Sequence, residues 1–260
     1  MTAQEDINVA VIGTSNIGAV KYAQTRIEAA YPQLAVTCYG LPGGKFDGAQ
    51  LIDNHFGPDR ADTAAMKLAR RINGAPTLDL SRFAHILVIG DTLGLPATLW
   101  TALSYDIADW STRTGRDLLS LPALQATAEE AIAARADHLR AQFGTFELHV
   151  AHAPYPTTAV VPKGVHHQQP YAAMATYPHA AALQTLHRHA LTLALADRGM
   201  TLIPQPDETI AQPFLTKEPY GHGSMDFRNQ DNLLNDHRHM NADFGASLFN
   251  AFAIAIGAAP

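Results

Sequence analysis

The amino-acid sequence predicts a single three-layer α/β domain over residues 1–260, built on a mostly parallel sheet of five strands. Two observations predict this class. Short apolar runs rich in β-branched residues alternate with helical patterns five times along the chain, and this alternation is typical of a parallel sheet covered by helices. The first of these runs is also nearly unbroken, as expected of a strand that is buried on both faces.

The predicted elements follow in chain order. INVAVI at 7–12 is the first strand and LAVTCY at 34–39 the second, and the residues between them carry a helical pattern up to Pro32. The Gly- and Pro-rich segment 39–48 is predicted to be a loop. Further strands are predicted at 84–90, 146–153 and within 200–206. Further helices are predicted at 59–72, 97–110, 122–143 and 179–198, with a last one near the C-terminus. We expect 154–171 and 204–240 to be irregular.

Composition restricts the class of partner. The formal net charge is −6 and the basic residues are dispersed, which argues against binding to nucleic acid or to an anionic membrane surface. A lone cysteine, Cys38, a start without a secretory signal, and the lack of a long apolar run favour a cytoplasmic protein. The sequence makes no prediction about the oligomeric state.

The turn after the first strand, GTSNIG at 13–18, is the most informative stretch. It resembles the G-x-G-x-x-G fingerprint of dinucleotide-binding proteins, but Ser15 occupies the place of the middle glycine, and the second strand does not end in the acid that would bind a ribose. A serine at a sharp strand-to-helix turn can instead be a nucleophile. A third interpretation is that Ser15 or Asn16 only caps the helix.

A second motif lies near the far end of the chain. Asp236 and His239 are spaced D-x-x-H just before the final helix, and such a turn can present a base and the carboxylate that orients it. G-x-S-N after the first buried strand, together with D-x-x-H before the last helix, resembles the SGNH (GDSL-type) hydrolases. That family has a flavodoxin-like α/β/α sandwich and consists mostly of esterases, lipases and carbohydrate deacetylases, with some acyltransferases.

The resemblance implies roles for individual residues. Ser15 would be the nucleophile, His239 the general base and Asp236 its orienting partner. The backbone N–H of Ser15 and that of Gly43 or Gly44 would stabilise the oxyanion. The third family block departs from the pattern, because Thr92 stands where an asparagine side chain usually donates to the oxyanion. Losing such a donor costs roughly 3 kcal/mol, so Thr92 or Asn16 would have to replace it.

The 13 histidines do not predict a metal site. A metal needs three or four convergent ligands, and the sequence shows histidines only in pairs such as His149 and His152. We therefore expect neither a metal nor an organic cofactor. Four of the histidines, namely His152, His166, His167 and His222, lie on loops that could reach the substrate.

The sequence thus predicts a serine hydrolase that cleaves an ester of a small polar or carbohydrate substrate through an acyl-enzyme. Asp91, His152, Tyr220 and His222 are the candidate substrate-binding residues. Three alternatives stay open: acyl transfer on the same triad, a nucleotide-binding oxidoreductase that uses the GTSNIG turn, and a non-catalytic relative. The loops after strands one, two, three and five are expected to form one rim around the ligand.

Overall fold

The computed structural model describes residues 7–163, 168–224 and 237–259. Its centre is a sheet of five parallel strands: β1 Ile7–Gly13, β2 Leu34–Gly40, β3 His85–Asp91, β4 Leu148–His152 and β5 Met200–Leu202. The spatial order is β5-β4-β3-β1-β2. The prediction of a five-stranded parallel sheet in an α/β fold is therefore confirmed, and the strand order is the flavodoxin-like one.

Within the described residues, six helices of ten residues or more accompany the sheet: α1 Gly18–Ala30, α2 Thr63–Asn73, α3 Leu95–Ser104, α4 Leu121–Phe143, α5 Ala180–Ala196 and α6 Ala242–Ala255. On one face, α1 and α6 pack over Val9 and Val11 of β1. On the other, α2, α4 and α5 pack over Ala10 and Ile12. Alternate residues of β1 thus pack into opposite layers, which is why its sequence is apolar from Val9 to Ile12. No helix within the described residues is long and apolar enough to cross a membrane.

Several shorter elements differ from the sequence prediction. The predicted loop 39–48 contains a short helix, Gly43–Asp47, and it is followed by a three-stranded antiparallel sheet of Ala49–Ile52, His55–Pro58 and Leu78–Asp79. The predicted helix over 97–110 is too long. Helix α3 ends at Ser104 because the chain then extends, and Asp106–Ile107 pairs with Leu118–Leu119.

The two segments predicted to be irregular also contain local structure. Short helices span Val160–Lys163 and Gln169–Met174, and a small hairpin joins Ile210–Gln212 to Leu215–Thr216. The second segment also contains the 3-10 turns Asp207–Thr209 and Glu218–Gly221. Elsewhere, 3-10 turns span Ser15–Ile17 and Leu80–Arg82. Asp236, His166 and His167 lie outside the described residues.

The strand order places one crevice at the centre of the sheet. β2 and β3 flank β1 on opposite sides. After β1 the chain continues to β2 on one side, whereas after β3 it continues to β4 on the other, so the two connections diverge at the carboxyl ends of β1 and β3. Ligands of parallel α/β sheets bind at such a point. Ser15, two residues after the end of β1, lies at this place.

Candidate active site

Ser15 opens a tight 3-10 turn, Ser15–Ile17, between β1 and α1. The turn is possible because residue 13 is glycine: a Cβ there would lie 1.9 Å from the carbonyl oxygen of Ile89 on the neighbouring strand. Thr14 caps the turn, since its side chain accepts the N–H of Asn16 at 3.4 Å. The cap of the turn is therefore Thr14, and the Ser15 hydroxyl is available for another contact.

That contact is with His239. The Ser15 Oγ lies 2.7 Å from the His239 Nε2, which is hydrogen-bond distance for a nucleophile and its base. The two residues are 224 positions apart, so only the tertiary fold brings them together. Asp236, the predicted third member of the triad, falls outside the described residues, and its role stays a prediction.

Helix packing sets the distance between serine and histidine. Helix α6 begins three residues after His239, and Asn241 caps it by accepting the N–H groups of Asp243 and Phe244. The helix then crosses α1 at very short range, because a Cβ on Gly245 would lie 2.1 Å from the carbonyl oxygen of Ala19. The starts of both helices are thus held together, along with the residues that precede them.

The Ser15–His239 pair opens onto a cleft of about 560 Å³. Its walls come from the loops that follow the first four strands of the sheet and from the segment before α6. The lining residues are Thr14, Ser15, Asn16, Gly43, Gly44, Gly90, Thr92, Pro96, Ala153, Pro154, Pro156, Gln168, Tyr171, Arg238 and His239. The loop after β4 contributes to this rim, whereas the sequence pointed to the loop after β5. The edge position of β5 explains the difference.

Two glycines supply backbone groups on one side of the cleft. Gly43 and Gly44 are the first two residues of the short helix Gly43–Asp47, and the N–H groups of a first helical turn have no acceptor within the helix. Both residues are exposed and line the cleft, and a Cβ on either would meet no atom within 4 Å. Their amides can therefore donate to a ligand.

Thr92 and Asn16, the two candidates for a side-chain oxyanion donor, both line the cleft. Thr92 is exposed and follows the turn at Gly90, whose φ is +104°. A Cβ on Gly90 would also lie 2.1 Å from Thr14 Oγ1. The Nδ2 of Asn16 already donates to Thr14 Oγ1 at 3.1 Å, so Thr92 is the less engaged of the two donors.

Asp91 does not line the cleft, although it was a candidate substrate-binding residue. Its side chain is only 3% exposed and lies against Arg135, whose Nε donates to Asp91 Oδ2 at 3.1 Å and whose Nη2 donates to the same oxygen. The Asp91 Oδ1 accepts the N–H of Leu93 at 2.7 Å. These bonds raise the pKa of the Arg135 guanidinium, and they hold Asp91 in the protein interior.

Three other candidate substrate-binding residues lie outside the lining of this cleft. Tyr220 packs its ring edge-on against Phe244, with centroids 6.2 Å apart, and the His222 side chain is 69% exposed. His152 packs against Tyr155, with ring centroids 4.6 Å apart, and burial lowers its pKa. Direct contact of these side chains with a ligand stays a prediction.

Three polar cleft residues were not singled out from the sequence. Gln168 is 4% exposed, and its Oε1 is buried without a hydrogen-bond partner in the described part of the chain. Burial raises the pKa of Tyr171, so its phenol stays protonated and can donate. Arg238 lies beside His239 in the chain. The position of Arg238 next to the predicted base could have marked it as a site residue. Gln168 and Tyr171 follow β4, and the loop after that strand was not expected to form the rim.

The residues at the end of β2 do not fit a dinucleotide. Such a cofactor needs a carboxylate there for its ribose, but Asn73 occupies the position: Gly40 N donates to Asn73 Oδ1 at 2.8 Å and Asn73 Nδ2 donates back to Gly40 O at 3.0 Å. Asp47, the next acid along the chain, is bound by Arg135 at 2.8 Å. For metals, the described residues contain no group of three or more His, Cys, Asp or Glu that could hold an ion.

Comparisons with known proteins include two remote structural likenesses. No protein-family model matches the sequence, and no curated protein matches it significantly. Among solved structures, a carbohydrate esterase family 2 enzyme with a carbohydrate binding domain, from Corynascus thermopiles (Myceliophthora fergusii), is 13% identical, with a TM-score of 0.40 over 99% of this chain and 68% of that one. A Streptococcus pneumonia protein described as a platelet activating factor is 12% identical, with a TM-score of 0.42 over 98% and 86%. Likenesses this remote assign no activity.

Proposed function

We propose that the chain is a serine esterase of the SGNH type that cleaves esters of small polar or carbohydrate substrates. The observation that carries this proposal is the 2.7 Å contact between the Ser15 Oγ and the His239 Nε2 at the rim of an open cleft. A serine is a weak nucleophile unless a base takes its proton, and a histidine within hydrogen-bond reach is the usual base.

The proposed reaction has two steps. In the first, Ser15 Oγ attacks the ester carbonyl carbon while His239 Nε2 takes the hydroxyl proton. The tetrahedral intermediate collapses, the bond to the alcohol oxygen breaks, and His239 returns the proton to that oxygen. In the second, His239 deprotonates a water that attacks the acyl carbon. The bond to Ser15 Oγ then breaks, His239 returns the proton to that oxygen, and the acid leaves. Asp236 would hold the imidazole in the required tautomer.

Backbone amides supply the main stabilisation of the oxyanion in this proposal. The amide of Ser15 opens its 3-10 turn, and the amides of Gly43 and Gly44 open the short helix across the cleft. The Thr92 hydroxyl, or the second N–H of the Asn16 Nδ2, would be the side-chain donor at the third position. Each donor of this kind contributes about 3 kcal/mol to transition-state stabilisation in acyl transfer.

A polar substrate is favoured by the walls of the cleft. The carboxamide of Gln168 and the phenol of Tyr171 both line it, and both groups form hydrogen bonds with hydroxyls. A buried polar group without a protein partner is costly, and the Gln168 Oε1 is such a group within the described residues. A substrate that carries hydroxyl groups near the scissile ester could bond to the half-buried Tyr171 phenol, which lines the cleft.

Substitution of the nucleophile tests the proposal. The wild-type protein should hydrolyse p-nitrophenyl acetate and acetylated monosaccharides, and Ser15→Ala should lower kcat by at least about 10⁴-fold. The matched control is Ser81→Ala, because Ser81 is exposed and bonds only locally to Asp79 at 2.6 Å; it should keep the wild-type kcat. Full activity in Ser15→Ala, or an inactive wild-type protein, would contradict the proposal.

A further inference from the structure

Helix α4 carries one side chain that reaches two loops of the cleft. The Nη2 of Arg135 donates to Asp47 Oδ1 at 2.8 Å, and its Nε donates to Asp91 Oδ2 at 3.1 Å. Asp47 is the last residue of the short helix that begins with Gly43, and Asp91 directly precedes Thr92. One guanidinium therefore joins the loop after β2 to the loop after β3.

The same helix holds each of these loops by a further contact. Gln142 Nε2 donates to the carbonyl oxygens of Phe46 at 2.7 Å and of Ala49 at 3.1 Å. After β3, the backbone of Gly94 lies directly on α4, since a Cβ there would be 2.8 Å from the carbonyl carbon of Ala131. Both loops thus rest on one helix, and the Arg135 guanidinium bonds to both of them.

The two carboxylates bound by Arg135 differ in burial. The Asp91 side chain is 3% exposed and the Asp47 side chain 55%. A buried carboxylate must keep its cation for the fold to stay stable, so the contact with Asp91 has a structural role. An exposed ion pair contributes little to stability, so stability alone does not account for the contact with Asp47.

We propose that Arg135 is a positioning residue for the oxyanion hole, and that it acts by fixing the distance between the Gly43 and Gly44 amides and Thr92. The inference rests on the function proposed above. Oxyanion donors stabilise the transition state only at 2.7–3.1 Å from the developing charge, about the length of one hydrogen bond. A displacement of about 1 Å can lower the rate about 100-fold. Arg135 is not among the residues that line the cleft, so in this proposal it acts on the reaction through these loops.

Removal of the exposed carboxylate is the sharpest test, because it leaves the buried Arg135–Asp91 pair in place. Asp47→Ala should lower kcat for p-nitrophenyl acetate by about 10- to 100-fold, with KM within about twofold. Its thermal midpoint should stay within about 3 °C of the wild-type value. Asp47→Glu keeps a carboxylate that can reach Arg135, and it should recover most of the lost kcat.

Two further variants complete the experiment. Arg135→Lys keeps a cation for Asp91 but lacks the planar fork that binds two carboxylates at once, so it should show the same loss of kcat as Asp47→Ala. The matched control is Asp137→Ala. Asp137 also lies on α4, its side chain is 66% exposed, and it pairs with Arg198 rather than with a residue of the cleft loops. The kcat of this variant should equal that of the wild type.

The outcomes separate the inference from the function on which it rests. Wild-type kcat in Asp47→Ala, in a protein that hydrolyses esters through Ser15, overturns the positioning role and leaves the esterase proposal standing. The positioning role is also overturned if the loss of kcat comes with a fall of the thermal midpoint by more than about 3 °C. The same holds if Asp47→Glu fails to recover kcat. A wild-type protein without esterase activity overturns both.

Discussion

The two faces of the central sheet hold the two halves of the cleft by different means. On one face, α1 and α6 set the Ser15–His239 distance through apolar close packing, with Gly245 against the backbone of Ala19. On the other, α4 holds the loops of Gly43 and Thr92 through the polar side chains of Arg135 and Gln142.

The comparison shows which kind of interaction fixes the geometry on each side of the cleft. Apolar packing fixes distances through shape, and any added atom must displace a neighbour. Polar contacts fix distances through hydrogen bonds, but they depend on charges that have been removed from water. The nucleophile side should therefore be sensitive to side-chain volume, and the oxyanion side to the removal of a charge.

The largest expected effect follows from removing the cation on the polar side. Arg135→Met leaves the Asp91 carboxylate buried at 3% exposure without its partner, and it should lower the free energy of unfolding by about 3–5 kcal/mol. Arg198→Met is the control, because the partner carboxylate of Arg198, Asp137, is 66% exposed; it should cost about 1 kcal/mol or less. Urea denaturation measures both, and equal losses would contradict the contrast between buried and exposed pairs.

The next effect comes from adding one methyl group on the apolar side. Gly245→Ala forces α6 away from α1, because its Cβ would lie 2.1 Å from the Ala19 oxygen, and it should cost about 1–3 kcal/mol of stability. His239 should move with the helix, so kcat should fall as well. Gly48→Ala adds the same atom where the nearest neighbour is 3.8 Å away, and it should change neither quantity. If Gly245→Ala keeps full activity and stability, packing does not set the Ser15–His239 distance.

An effect that appears only in acid is expected from α5, which packs on the same face as α4. Burial, and then the charge of the neighbouring His152, lower the pKa of His187 to about 3. His187 bonds Thr98 Oγ1 at 3.2 Å and lies beside a small cavity that Tyr155 and Arg188 also line. Its folded pKa is below the unfolded value of about 6.5, so below that pH the unfolded chain binds a proton that the folded chain does not.

The stability contributed by His187 is therefore present above pH 6.5 and lost as the pH falls. The loss should be about 1.4 kcal/mol per pH unit between roughly pH 6 and 4. Urea titrations at several pH values measure this slope. His187→Gln should make it shallower by that amount, whereas His189→Gln, an exposed position on the same helix, should keep the wild-type slope. Identical slopes in all three proteins would show that His187 is not held neutral.

The central sheet could be predicted from the sequence because burial leaves a simple pattern there. Strand β1 is covered on both faces from Val9 onward, and its residues 9–12 are apolar without interruption. The hairpin of Ala49–Ile52 and His55–Pro58 leaves no such pattern, since each strand has four residues and one contains glycine and proline. Its one signal is Asp53–Asn54, a two-residue turn with φ of +52° and +63°, which suits a type I′ hairpin.

The two halves of the candidate site differ in the same way. Ser15 and His239 carry local signals, a glycine-flanked turn after a strand and a D-x-x-H before a helix, and the structure places them 2.7 Å apart. Arg135 carries none. It is an ordinary basic residue within a helical pattern, and its partner Asp91 is 44 positions away. Its role depends on a tertiary contact between a helix and two loops, which one sequence does not encode in any short stretch.

The central claim is that the Ser15 hydroxyl is a nucleophile activated by His239, and covalent labelling tests it most directly. A fluorophosphonate should add once per chain, and peptide mass spectrometry should place the adduct on Ser15. Labelling should be lost in Ser15→Ala, strongly slowed in His239→Gln, and unchanged in the control variant Ser81→Ala. The absence of an adduct in the wild-type protein, an adduct on a different residue, or labelling of His239→Gln at the wild-type rate would contradict the claim.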